Sequence, residues 1–90
     1  MTFSERDLRK LAADEDGTVL WTYRTTDQMN ELSHNDYWRG ALGVVSDGDV
    51  IIAISSHTNP LQGAQFLVAD TCSPAGYIVV IKFAETSNPN

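Results

Sequence analysis

Ninety residues, 42% hydrophobic and 20% charged, with six glycines, three prolines and no repeat or low-complexity tract, are those of one small globular domain and exclude a second. Twelve acidic against six basic side chains leave a net charge of -6, which opposes a phosphate backbone or an anionic membrane; the densest basic group, Arg6, Arg9 and Lys10, does not offset it. The single cysteine, Cys72, excludes an internal disulfide, and with His34 and His57 it lacks the close ligand spacing of structural zinc.

A domain of this size buries only about 60% of the surface its unfolded chain exposes, so its core is marginal and association with other chains is the remaining stabiliser. The longest aliphatic run, Val50 to Ile54, falls far short of the roughly 20 residues of a membrane helix. A polar, charged start is unlike an apolar signal peptide, and synthesis in a cytoplasm is expected.

The first segment, Phe3-Ser4-Glu5-Arg6-Asp7-Leu8, predicts a helix start, with Ser4 as N-cap, Asp7 in the capping-box position and Phe3 stapled against Leu8. The helix is expected to run to about Ala13, with Leu8, Leu11 and Ala12 on one face, and to end at Asp14-Glu15-Asp16-Gly17. Residues 1–16 thus read as an N-terminal helical arm, 17–84 as a compact β-rich domain and 85–90 as a flexible tail.

From Thr18 to Arg24, β-branched and aromatic residues alternate, which predicts a strand with Val19, Trp21 and Tyr23 on one face. Thr25-Thr26-Asp27 caps a short helix to about Ser33 carrying Met29 and Leu32, and a helical turn follows over 37–42. Ser46-Asp47-Gly48-Asp49 is a tight turn in which Gly48 takes positive φ. Val50 to Ile54 is apolar on both faces and therefore a central strand. Ala64 to Asp70 and Tyr77 to Phe83, joined through a turn over 72–76, form a hairpin.

The expected fold is α+β and mainly β: a small antiparallel sheet or incomplete barrel of about four strands with two or three short helices. Tyr77, Val79, Ile81 and Phe83 line one face of the last strand, and Ile78 and Val80 the other. Two apolar faces exceed what two short helices cover, so part of that surface meets another protein.

No residue pattern names a reaction. Cys72 with His34 or His57 and Asp36 or Asp70 has the composition of a nucleophilic site but no local signature, and each is more simply a turn residue. The two acidic-glycine clusters, at 14–17 and 47–49, do not complete a calcium loop. Trp21, Tyr23, Tyr37 and Trp38 suit a ligand platform in type, but at these spacings they read first as core. No catalytic residue, metal or cofactor is expected.

Taken together, Trp21-Thr22-Tyr23-Arg24-Thr25-Thr26-Asp27, then Tyr37-Trp38, then Leu42 and Gly48-Asp49-Val50-Ile51, resemble a pattern in small auxiliary structural proteins of tailed bacteriophages. That pattern has an aromatic strand ending in Thr-x-Asp, a short helix, a Gly-Tyr-Phe step and a Gly-Asp-x-Ile strand start. The chain departs from it at Asp36-Tyr37-Trp38 and in its charged N-terminal segment.

The resemblance implies a non-enzymatic virion protein, made in the bacterial host cytoplasm, that decorates or cements the capsid surface; a tail or connector accessory is the neighbouring case. Its partner is then the major capsid protein or another virion protein. Auxiliaries of this size are commonly trimers, which leaves a homo-oligomer open. Phe3, Leu8 and Leu11 on the arm, with Tyr37 and Trp38, are the residues expected to meet the partner. The alternative is a small acidic inhibitor of a host protein that imitates nucleic acid, which would need its carboxylates in an ordered stripe.

Overall fold

The computed structural model describes residues 3–15, 17–56, 61–71 and 78–85. Five strands, β1 (Leu8–Ala13), β2 (Val19–Thr25), β3 (Val50–Ser55), β4 (Gln62–Asp70) and β5 (Val79–Glu85), form one open sheet in chain order. The apolar run at Val50 to Ile54 lies in its middle strand, as two-sided apolarity requires. Gly48 does take positive φ, at 89°, in the turn that leads into it.

All neighbours pair antiparallel except β2 and β3, which are parallel. The reason is the segment between them. It carries α1 (Met29–Leu32) and a 3₁₀ stretch (Asn35–Ala41), and parallel neighbours need such a crossover. The sheet is therefore mixed rather than antiparallel, with five strands rather than about four.

The crossover packs on one side of the sheet. Met29 and Leu32 of α1, with Tyr37, Trp38 and Ala41, share a single core with the inward residues Leu8, Tyr23, Ile51, Ala53, Ala64, Phe66 and Val68. Trp38 is its hub: the ring lies 5.0 Å from Tyr23, 5.3 Å from Tyr37 and 6.0 Å from Phe66, and its indole N–H donates to the Leu32 carbonyl at 2.7 Å. Ile78 and Val80 also face this core, while Ile81 and Phe83 do not, which is the division expected for the last strand. Tyr77 lies outside the described residues, as does the turn over 72–76.

The N-terminal helix is corrected. Only Glu5–Asp7 make a 3₁₀ turn, Ser4 makes no side-chain cap, and Leu8–Ala13 are a strand on the edge of β2. A helix of some ten residues is marginal alone. Pairing Leu8 with Tyr23 satisfies the β2 edge and buries the leucine, so tertiary contact overrides the local capping pattern. The expected helix end at Asp14 is the start of a hairpin turn, with Asp14 N–H donating to Thr18 O at 2.8 Å and Gly17 at φ 95°. Thus Leu8–Ala13 belong to the sheet and not to an arm; residues 86–90 of the expected tail lie outside the described residues.

Candidate functional site

Two arrangements are candidates: a buried polar relay at one end of the sheet and the sheet's outer face, over which the described residues form no layer. The relay begins where the N-terminal segment lies over β2. Ser4 N–H donates to the Tyr23 hydroxyl at 3.0 Å, Tyr23 donates to Tyr37 at 2.8 Å, and Tyr37 donates to Asp27 Oδ2 at 2.6 Å. The direction of the middle bond follows from the last, because Tyr37 has one proton and gives it to the carboxylate. Ser55 Oγ donates to the Asp27 carbonyl, fixing the same turn to the end of β3.

Burial pushes the Tyr37 hydroxyl well above the ordinary tyrosine range, and its bond to Asp27, a carboxylate acceptor, adds to the rise. A phenol held in its neutral form is a structural donor rather than a base or nucleophile. The relay borders a cleft of about 530 Å³ lined by Arg6, Asp7, Arg24, Thr26 and Ser56. Among the described residues no three His, Cys, Asp or Glu side chains converge as metal ligands.

The outer face is built by alternation. Ala12, Leu20, Val50, Leu67 and Ile81 pair in one row across all five strands. The next row passes through Arg9, Thr22, Ile52, Gln65 and Ala84, and a third through Arg24, Ile54 and Gly63. Strand partners share a face, so these residues stand opposite the core. Gly63 and Ala84 leave a depression of about 320 Å³ beside Ile52 and Ile54. Leu11 in the β1 bulge is 59% exposed, Ile81 50% and Phe83 54%.

The residues expected to meet a partner are placed differently from one another. Leu8, Tyr37 and Trp38 are buried in the core, and Phe3 is half-buried, stacked on Tyr23 at 5.3 Å. Leu11 alone of the five is an exposed side chain. Their burial follows from the N-terminal segment docking on its own chain. Sequence reasoning missed Leu20, Ile52, Ile54 and Leu67 as surface candidates, although the two-sided apolarity of β3 was their signal. His34 is exposed just before the 3₁₀ stretch, and His57 and Cys72 lie outside the described residues.

Trp21 is partly buried on the inner side. Its indole N–H donates to Asp49 Oδ2 at 3.0 Å, and the same oxygen accepts Ser46 N–H at 2.9 Å. The acidic-glycine turn is thereby a strand lock: Asp47 Oδ1 accepts Thr71 N–H at 2.7 Å from the end of β4. Among the described residues no helix is long and apolar enough to cross a membrane. No family model, no curated protein and no solved structure matches this chain.

Proposed function

We propose that this chain is a non-enzymatic virion protein of a tailed bacteriophage that attaches to the capsid surface through the outer face of its sheet and stabilises or decorates the shell by protein–protein contacts. The observation that carries the reading is the row of aliphatic side chains across five strands with no layer over it among the described residues. An apolar face of this extent on a small domain marks a protein contact. Binding to a repeating lattice adds stability by mass action to a core that is marginal by size. The likeness of residues 21–54 to phage auxiliary proteins supplies the kind of partner.

Several described carboxylates are committed elsewhere than to the stripe the acidic-inhibitor reading needs. Asp27 and Asp49 are buried acceptors, Asp36 is paired with Arg39 at 3.0 Å and Glu85 with Lys82 at 3.2 Å, and Asp14 belongs to a hairpin turn. The test is the copy number of this chain relative to the major capsid protein in gradient-purified particles of the phage that encodes it, by quantitative mass spectrometry. A number comparable to the capsid protein supports a shell-covering role. A handful per particle moves the attachment point to the tail or portal vertex, and absence from particles overturns the reading.

A further inference from the structure

The outer face differs from the rest of the molecule in charge as well as in polarity. Its three central rows carry Arg9 and Arg24, and its one carboxylate, Asp70 beside Val79 in the row beyond Leu67 and Ile81, is already engaged, in a chain whose net charge is -6. Both arginines are exposed, and neither belongs to the two ion pairs among the described residues. The carboxylates at the margin are Asp70 and Glu85, both already engaged, and Asp7 in the 3₁₀ turn at the corner by Arg24.

Resting on the reading of this face as a protein contact, we infer that it receives an amphipathic helix whose apolar side covers the Leu20–Val50–Leu67–Ile81 row and whose flank presents carboxylates to Arg9 and Arg24. Three considerations select that occupant. Among the described residues the crossover covers only one side, and a helix is one of the layers that pack on the free face of a sheet. With Ala12 of β1 the row spans four strand spacings, about 19 Å, the length of a helix of about 13 residues. A second copy is disfavoured because opposing the face to itself would bring Arg9 and Arg24 against their like. An anionic membrane would attract the two arginines but repel the remainder of the chain.

The experiment uses two synthetic 14-residue helical peptides with the same leucine stripe, one flanked by Glu and the other by Lys. Binding to the full chain is read by fluorescence anisotropy and by amide shift mapping, with phosphatidylglycerol vesicles and sedimentation of the chain alone alongside. General electrostatics favour the Lys peptide on a chain of net charge -6. Selection of the Glu peptide by about tenfold, with shifts at Leu20, Ile52, Leu67 and Ile81, is therefore specific to this face.

The expected result is that selection, its collapse in the double variant Arg9→Gln/Arg24→Gln with an unchanged thermal midpoint, and its weakening with salt. Equal binding of both peptides, or no binding of either below millimolar concentration, overturns the inference. So do binding to the vesicles in place of the Glu peptide and a dimer that buries the face. The outcome is separable from the virion reading. A chain abundant in particles but indifferent to peptide charge sinks the acidic helix alone, whereas a chain that selects the Glu peptide but is absent from particles sinks the virion alone.

Discussion

Tyr37 and Asp27, ten residues apart in sequence, are joined by a 2.6 Å hydrogen bond that closes the relay from the N-terminal segment to the crossover. Because burial and then the bond to Asp27 raise the Tyr37 pKa above its ordinary value of 10.0, the unfolded chain ionises this phenol at a pH where the folded chain keeps it protonated. Its contribution is complete below about pH 10 and falls as pH rises beyond, by about 1.4 kcal/mol per pH unit. Tyr37→Phe should lower stability at pH 7 by about 1–3 kcal/mol and flatten that alkaline decline. Urea titrations at pH 7 and pH 10.5 measure both, and parallel losses in the two proteins would contradict the assignment.

Asp49 offers a second check on a buried acceptor. It is 2% exposed, one oxygen serves both Trp21 and Ser46, and Oδ1 has no hydrogen-bond partner among the described residues. Asp49→Ala should cost about 2 kcal/mol, since it strands the indole and amide donors, whereas Asp49→Asn keeps an oxygen for them and should cost less. Chemical denaturation gives the order, and the Trp21 indole proton shift reports whether its acceptor survives.

Phe3 separates a core segment from a free arm. Its ring stacks on Tyr23 and lies 5.6 Å from Trp38, and a Cβ at Gly40 would stand 3.1 Å from it. Phe3→Ala should destabilise the domain by about 2 kcal/mol, with Gly40→Ala costing less because the ring can shift. Removing residues 1–13 deletes β1 and uncovers Tyr23, so cooperative melting by circular dichroism should be lost. A truncated chain that melts like the full one would restore the arm.

On the outer face the expectation is reversed. Ile81→Asn and Phe83→Ser change half-exposed side chains away from the core, and stability should stay within about 0.5 kcal/mol of the parent. Occupancy on particles should fall nonetheless. Full occupancy by both variants would remove this face from the attachment.

Much of the β half was legible because its signals are local. The turn at Gly48, the central strand at Val50 to Ile54 and the pairing of the last two strands follow from runs, alternation and glycine placement. The first strand was not, because a Ser-x-x-Asp cap lies within a few residues while the partner of Leu8 is Tyr23. Asp16-Gly17 between two apolar runs was the available hairpin signal. Parallel pairing leaves no trace in alternation, since either sense gives the same faces. Likewise Arg9 and Arg24, far apart in sequence, share a surface only through the register of β1 on β2, which composition does not encode.

The single parallel pairing also orders the assembly of the chain in time. β1 with β2, and β3 with β4 and β5, are antiparallel neighbours that can form within their own halves, but Leu20 meets Val50 only after the whole crossover has closed. Closing that loop carries entropy before any contact rewards it, which makes the docking of two preformed halves the slow step of folding. Until then β2 and β3 each present a bare strand edge. A circular permutant cut within the crossover should refold more slowly than the parent.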